Sequence, residues 1–508
     1  MKRPGALSIA IALGAFAAYA PRVCRTVASI GDSPELVTAA VVLGVPHPPG
    51  YPVYTAFGHV IARLGRGNPV LYLNLSSAAF HAAAVGLVAY AIWLLTDSAA
   101  AVVAGSVALA LSRSFFFGSL YAEVFPLNDA LFALLLVLAI RLGKSESGGS
   151  GALCAFAVLS GLAAAHHMMF ALAMPALAVL AWPAFRRRIT FALPILFFVP
   201  IAAAYAMLPV AAARDPILSW GEVRDLRSLV HLVTRQDYGG LLHPSRFPAS
   251  GQLLERLDVF FACIGRSVFP TGLVIAAAGT VWLWLRNRRE GAAMLVAFVV
   301  SGPLFAAVNA IDVRSEARVV FFERFTTMCH VPIAVLVGCG VAAIGARIRS
   351  WRERFPGGAV LAAVCVVPLI GNLRIDLSRD RTGETEASDL VKSAPDGSLV
   401  LLTGDAPAHA ALYACGVEHA CGARIFLSPL KTYMPWYMAQ VRRRHPNLSL
   451  PVDGGGSLDL VRMIADEIAR RPVLAHPELL RKKPDLAKRF SWAASPPLVR
   501  AYPMTDPL

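Results

Sequence analysis

Residues 5–20 read GALSIAIALGAFAAYA, a run of sixteen uncharged residues that follows Lys2 and Arg3. This run approaches the roughly 20 apolar residues that a helix needs to cross a bilayer. Two short segments come next, GDSPE at residues 31–35 and HPPGYP at residues 47–52. Acidic residues just past a first membrane helix, followed by a rigid Pro/Gly segment, predict a reaction centre on the outer face of the membrane.

The rest of the chain has the composition of a membrane protein. Of its 508 residues, 56% are hydrophobic and 16% charged, and the mean hydropathy is +0.59. Further uncharged windows lie at 67–96, 189–213, 267–285, 291–311, 325–346 and 355–373, the window 147–185 is long enough for two spans, and shorter runs lie at 99–112 and 127–140. We therefore expect a polytopic α-helical membrane protein with about 11 transmembrane helices.

Basic residues give the orientation, because short loops rich in Lys and Arg stay in the cytoplasm. Basic clusters fall in every second predicted loop, at positions 2–3, 141–144, 186–188, 286–289 and 347–354. This alternation puts the N-terminus in the cytoplasm and the C-terminal part outside. The net charge of +15 is thereby explained by topology, and nucleic-acid binding is not expected. The first segment also resembles a cleaved signal peptide, since Ala18-Tyr19-Ala20 precedes Pro21; both alternatives leave Asp32 outside.

The chain divides into two predicted domains. Residues 1–374 form a transmembrane domain with a first outer loop at 21–70, and residues 375–508 form a small extracytoplasmic α/β domain, in which short apolar strands such as 399–402 and 425–427 alternate with helices. Cys415 and Cys421 both lie in this second domain, where an oxidising compartment would permit a disulfide. Spacing alone leaves that pairing open.

Asp32 and Glu35 allow two interpretations. Their spacing, with Pro34 between them, matches an N-cap, an early helical proline and a capping-box glutamate. The other interpretation is a general base, a carboxylate projected into a cavity where burial and nearby charges tune it. The two are compatible, and the sequence leaves open which carboxylate is free to accept a proton.

Three segments carry a resemblance to a known family. They are GDSPEL at 31–36, LGVPHPPGYPVY at 43–54 and NLSSA at 74–78, with further matches in YAEVFPLN at 121–128 and LLTGD at 401–405. They resemble a bacterial membrane family formerly of unknown function. That family is similar to the animal endoplasmic-reticulum O-mannosyltransferase that modifies plexin-type domains, and has the type C glycosyltransferase fold. The N-terminal motif is specific, whereas the C-terminal one is weak.

The resemblance implies an inverting glycosyltransferase in a bacterial inner membrane. Its donor would be a polyprenyl-phosphate sugar, and the resemblance indicates mannose as the sugar. Its acceptor would be a Ser or Thr hydroxyl of an exported protein. Such transfer needs a base for the acceptor proton, and Asp32 is the first candidate, with Glu35 beside it. The leaving lipid phosphate needs cations, for which Arg314, Arg318 and Arg324 are placed; we favour Arg324 and Arg318, although snorkelling at the interface is the alternative.

Other residues of the matched segments are candidate donor or acceptor ligands. His47 and Tyr51 flank the Pro/Gly segment, where His47 could instead cap a turn. Glu123 could orient a sugar hydroxyl or pair with an arginine. Asn74 could equally form a hydrogen bond between helices. The pair His166-His167 interrupts the long apolar window, where neighbours more often satisfy such a pair.

Absent motifs restrict the chemistry. The chain has no Asp-x-Asp, no P-loop and no His-Glu-x-x-His, which disfavours a metal-bound nucleotide sugar, an ATPase and a zinc protease. We predict metal-independent chemistry without a cofactor. A transporter or lipid flippase is the main alternative, but it would be expected to repeat the 32–52 region in a second half. A scaffold protein would not depend on Asp32.

Overall fold

A computed structural model describes residues 4–65, 67–145, 149–188, 191–240, 252–309, 311, 313–351, 366–453 and 457–504. Within these residues, seven helices are long and apolar enough to cross a membrane: Pro4–Arg22, Pro69–Thr96, Phe125–Lys144, Ala192–Ala212, Leu253–Arg286, Arg288–Val308 and Arg318–Arg347. They correspond to seven of the apolar windows identified in the sequence. A polytopic helical membrane architecture is therefore confirmed.

Shorter helices occupy several of the remaining predicted spans. Ala99–Leu111 and Ser150–His166 are apolar helices of fewer than 18 residues, and Met174–Arg188 follows the turn at His167, so the window 147–185 does contain two helices. The window 355–373 lies mostly outside the described residues. The count of about 11 spans thus stays a prediction. The other helices of this part are Arg113–Gly118, Leu226–Val233 and Glu316–Glu323.

Glycine lets two of the long helices touch through their backbones. A Cβ atom added at Gly279 would lie 1.9 Å from the Leu336 carbonyl oxygen, and one at Gly340 would lie 2.0 Å from the Ile275 carbonyl oxygen. Lipid tails are as apolar as leucine, so helices in a bilayer associate by close packing, which small residues permit. The Leu253–Arg286 helix and the helix from Thr327 therefore pack as one rigid pair.

The segment between the first two long helices folds into two short helices, Ser33–Val42 and Pro52–Leu64. Each has a proline in its first turn, where the missing N–H group has no helical partner in any case. Asn74 fixes the start of this segment: its amide donates to the Cys24 and Thr26 carbonyls at 2.7 and 3.0 Å and accepts from the Ala122 N–H at 2.8 Å. One buried side chain thus joins the chain before Asp32 to the chain before Glu123.

The C-terminal part contains a five-stranded sheet, built from β1 (Leu399–Leu401), β2 (Ile425–Leu427), β3 (Val473–Ala475), β4 (Ser491–Ser495) and β5 (Leu498–Tyr502). The strand order is β2-β1-β3-β5-β4, in which β1 is parallel to both neighbours and β5 is antiparallel to both of its own. The helices of this part are Thr382–Ser393, Asp405–Gly416, Pro435–Arg444, Leu460–Ile468, Pro477–Lys482 and Pro484–Arg489. The alternation expected from the sequence is present, and the boundary at 374/375 stays a prediction.

The helix after β1 attaches this sheet to the segment that carries Asp32. Asp405–Gly416 packs on Ser33–Val42 closely enough that a Cβ atom at Gly416 would lie 2.8 Å from Thr38 Cγ2. Cys415 and Cys421 form a disulfide bond at the end of the same helix, with their Cα atoms 4.9 Å apart. The carboxyl end of β1 is therefore held against the loop between the first two long helices.

Candidate active site

Asp32 does not cap the helix that it precedes. The Ser33–Val42 helix has Asp32 at its N-cap position, but the carboxylate forms no hydrogen bond with the first helical turn. The capping-box interpretation is therefore wrong for this side chain. Its carboxylate turns instead toward Arg324, with Oδ2 at 3.5 Å from Nη2.

Arg324 is shared between two carboxyl groups. Its other terminal nitrogen, Nη1, donates to Glu123 Oε2 at 2.9 Å, and the guanidinium lies 4.3 Å from the centre of the Phe321 ring. The side chains of Arg324 and Glu123 are 5% and 2% exposed, whereas that of Asp32 is 27% exposed. Burial raises the pKa of Glu123 although Arg324 opposes this, and the nearby Asp32 carboxylate adds to the increase. Asp32 is thus the more accessible carboxylate of the two.

Gly31 makes room for this guanidinium. Its φ is +56°, and a Cβ atom built on it would lie 1.6 Å from Arg324 Nη1 and 2.5 Å from Cζ. Glycine is the residue that adopts this left-handed conformation without a steric penalty. The backbone beside Asp32 therefore forms one wall of the arginine site.

Glu35 is committed to His47. Its carboxylate accepts from the His47 backbone N–H at 2.9 Å and contacts His47 Nδ1, while His47 Nε2 lies 3.2 Å from the Tyr51 hydroxyl. Burial by itself would raise the pKa of Glu35 and lower that of His47. Burial is the largest single effect on each group, but the charge and the hydrogen bond of the partner, together with other nearby charges, outweigh it. The pKa of Glu35 therefore falls to about 2 and that of His47 rises to about 9. Glu35 therefore holds the Pro/Gly segment in place and presents His47 and Tyr51.

A cavity of about 890 Å³ lies above these groups. Its ionisable or hydrogen-bonding lining residues are Asp32, His47, Tyr51, Glu123, His167, Trp220, Arg235, Tyr238, Asn309, Asp405 and His409. The remaining wall is apolar and includes Phe305, Val308, Phe321 and Phe325. These four side chains belong to the long helices, whereas two of the polar lining residues, Asp405 and His409, belong to the helix after β1.

Asp32, Glu35 and His47 also approach one another closely. One potential ligand atom from each lies within 4.8 Å of the others, a separation at which a cation could be held. Glu35 and His47 already bond to each other, and Asp32 already contacts Arg324. The potential metal-ligating atoms of these three residues can therefore all be satisfied by contacts with other protein groups.

Three of the predicted ligands do not line this cavity: Asn74, Arg318, and Arg324, which lines a smaller neighbouring cavity. Asn74 is fully buried and has the structural role described above. Arg318 is exposed on the Glu316–Glu323 helix and lines neither this cavity nor the smaller one, of about 310 Å³, that adjoins it at Glu123 and Phe125. The structure does bring together Asp32, His47, Tyr51, Glu123 and Arg324, with Glu35 behind them.

Sequence reasoning missed Arg235 and the residues after β1. Arg235 has φ of +58° and donates from Nη1 to the Pro48 carbonyl at 3.0 Å. Its Nε atom is buried and has no hydrogen-bond partner in the part of the chain that the structure describes. Within the described ranges, no carboxylate lies at ion-pair distance from it. The left-handed backbone of Arg235 is visible only in the structure, because an arginine in a sequence does not indicate a positive φ.

Comparisons with known proteins agree with this architecture. Residues 32–188 match the model of the protein O-mannosyl-transferase TMEM260 N-terminal domain. The chain is 27% identical over 487 residues to the mouse protein O-mannosyl-transferase TMEM260, covering 89% of this chain and 67% of the mouse protein. A Dictyostelium discoideum protein of the same name is 22% identical over 342 residues, which cover 62% of this chain and 42% of that protein.

Solved structures share the fold. ArnT from Cupriavidus metallidurans, determined with bound undecaprenyl phosphate, superposes with a TM-score of 0.60 at 12% identity, covering 98% of this chain and 97% of ArnT. The Archaeoglobus fulgidus oligosaccharyltransferase, in complex with Zn and sulfate, gives a TM-score of 0.52 at 11% identity, with coverages of 93% and 68%.

The chain therefore has the polytopic membrane fold of the type C glycosyltransferases. Within that class, the resemblance indicated by the sequence is confirmed: the chain is similar to the protein O-mannosyl-transferases named TMEM260.

Proposed function

We propose that this protein transfers a hexose, mannose in the first instance, from a polyprenyl phosphate to a Ser or Thr hydroxyl of an exported protein, with inversion at the anomeric carbon. The observation that carries the proposal is the position of Asp32, a partly exposed carboxylate on the wall of a large cavity that is lined by both apolar and polar side chains. A lipid-linked donor needs apolar lining residues, and a water-borne acceptor needs polar ones. The similarity to proteins named as protein O-mannosyl-transferases supports the same reaction.

In the proposed step, Asp32 takes the proton of the acceptor hydroxyl while the hydroxyl oxygen forms a bond to the anomeric carbon. The bond between that carbon and the phosphate oxygen breaks, and polyprenyl phosphate leaves with the electron pair. Arg324 lies 3.5 Å from Asp32, where it orients the base together with Glu123. A base positioned in this way typically contributes about 10²- to 10⁴-fold to the rate.

Arg235 is the better candidate for the donor phosphate. Inversion requires the base and the leaving group on opposite faces of the sugar, whereas Arg324 contacts the base itself and is already balanced by two carboxyl groups. Arg235 lines the large cavity, and among the described residues its buried Nε atom has no hydrogen-bond partner. An arginine without a carboxylate partner is suited to the phosphate that the leaving lipid carries. The sequence-based assignment of the phosphate to Arg324 and Arg318 is thereby revised in our proposal.

We place the cavity on the outer face of a bacterial inner membrane, with the N-terminus in the cytoplasm. The basic loops support this orientation. The chemistry is proposed to be independent of metal ions, since the potential ligands Glu35 and His47 already satisfy each other.

The function is tested by glycoproteomics of exported proteins. A strain lacking the protein is compared with the same strain that carries either the wild type or Asp32→Asn. Asn is as good an N-cap as Asp but cannot take the proton, and Asp32 makes no capping bond here, so the fold should be retained. We expect hexose on Ser or Thr to disappear in the deletion strain, to return with the wild type, and to stay nearly absent with Asp32→Asn. Full restoration by Asp32→Asn at equal expression would show that Asp32 is not the base.

A further inference from the structure

The sheet of the C-terminal part brings a second set of polar side chains to the cavity. β1 is followed by Leu402-Thr403-Gly404 and then by the Asp405–Gly416 helix. The first residue of this helix, Asp405, and its fifth, His409, both line the cavity. In open sheets with parallel strands, ligands bind beyond the carboxyl ends of the strands. The carboxyl ends of β1 and β2 are the ends of a parallel pair, so they lie at the same edge.

His409 is buried at this edge without being satisfied. It is 4% exposed, its Nε2 atom lies 3.9 Å from Glu35 Oε2, and its Nδ1 atom is buried with no hydrogen-bond partner within the described part of the chain. A buried polar atom without a partner is unfavourable, because it has lost its hydrogen bonds to water. A ligand in the cavity that forms a hydrogen bond with Nδ1 would remove this penalty.

The segment after β2 continues the same wall. Lys431 follows β2 and lies 4.2 Å from the centre of the Trp220 ring, and Trp220 itself lines the cavity. Trp220 is held by Asp237, which accepts from its Nε1 at 2.7 Å and from Trp436 Nε1 at 3.3 Å. The wall is therefore a rigid surface built jointly by the two parts of the chain.

We infer that the carboxyl edge of β1, through Asp405 and His409, forms the acceptor subsite and binds the hydroxyl-bearing segment of the exported polypeptide. This inference rests on the proposed function and assigns a substrate to one wall of its cavity. The apolar lining residues, such as Phe305 and Phe325, belong to the long helices, as a lipid donor requires. Asp405 and His409 belong to the C-terminal part, in whose described residues no helix is long and apolar enough to span a membrane. A carboxylate accepts hydrogen bonds from N–H and O–H groups, and an imidazole can donate to a carbonyl, so together they can bind the peptide groups around a Ser or Thr.

The test separates acceptor binding from donor cleavage. Purified protein in detergent is given polyprenyl-phosphate mannose, first alone and then with a pool of synthetic Ser/Thr peptides taken from exported proteins. Release of polyprenyl phosphate without peptide reports cleavage of the donor by water, and peptide mass reports transfer. The variants are Asp405→Asn and His409→Gln, and the control is Asp389→Asn, an exposed aspartate of the same part of the chain.

We expect both variants to raise the KM for the peptides by about 10-fold or more, as the loss of a hydrogen bond to a charged or buried group would, with donor cleavage unchanged. The control should match the wild type in both readouts. Because His409 is buried, each protein is also checked by its unfolding temperature, and Asp405, which is more exposed, carries the test if His409→Gln is unstable.

Each other outcome has a distinct meaning. Unchanged peptide KM in a folded Asp405→Asn protein would overturn the acceptor subsite. Equal loss of donor cleavage and peptide transfer would assign this edge of the sheet to donor binding. That result would also overturn the acceptor subsite, but it would leave the proposed function intact. If the wild type consumes no donor under either condition, the proposed function itself fails.

Discussion

Gly31→Ala should displace Arg324, which contacts the Asp32 carboxylate. An alanine Cβ at this position would lie 1.6 Å from Arg324 Nη1, far inside any permitted contact. The left-handed backbone, with φ of +56°, adds roughly 1–2 kcal/mol for a residue other than glycine. Separating a buried arginine from its carboxylates costs about 3–5 kcal/mol. We therefore expect a loss of about 4 kcal/mol or more in the free energy of unfolding, together with a fall in transfer of about 10²-fold.

A matched glycine isolates the backbone contribution. Gly397 has φ of +73°, and a Cβ atom there would have no neighbour within 4 Å. Gly397→Ala should therefore show only the smaller, conformational cost. Both variants are measured by denaturant unfolding in detergent and by restoration of glycosylation in the deletion strain.

A double-mutant cycle identifies the contact itself. If the clash is with Arg324, then Gly31→Ala introduced into an Arg324→Ala background should cost no more than Gly397→Ala. An unchanged cost of Gly31→Ala in that background, or equal effects of the two glycine variants in the wild type, would refute the steric reasoning.

Three further predictions concern charge, metal and topology. The pKa of His47 is raised to about 9 in the folded protein, so protonated His47 stabilises the fold fully below its unfolded pKa of about 6.5. This stabilisation disappears as the pH rises through 9. The unfolding temperature of His47→Gln should lack this decline, and a pH profile identical to that of the wild type would contradict the ion pair with Glu35. EDTA should leave transfer unchanged, whereas a loss that Mg²⁺ or Mn²⁺ restores would show that Asp32, Glu35 and His47 hold a cation. A cysteine next to Arg187 should react with an impermeant thiol reagent only from the cytoplasm and one next to Asp405 only from outside, so labelling of both from one side would overturn the orientation.

Local patterns were sufficient for much of the architecture. Long apolar runs predicted the long helices because a bilayer leaves a backbone no partner other than itself. Alternating short apolar segments predicted the strands at 399–401 and 425–427. These features depend on neighbours in the sequence, so the sequence displays them directly.

The division of roles between the acidic residues could not be obtained in this way. Asp32 and Glu35 fit a capping box equally well in sequence, yet Asp32 contacts Arg324, 292 positions away, and Glu35 contacts His47. Only the packed structure shows which carboxylate remains accessible.

The sequence by itself determined that this is a polytopic membrane protein with a C-terminal α/β part and an acidic segment after its first span. Only the tertiary structure decided that Arg235, Asp405 and His409 face the same cavity as Asp32. The physical reason is that membrane insertion follows from local hydrophobicity, whereas a binding site consists of side chains that are distant in the sequence and come together only when the chain folds.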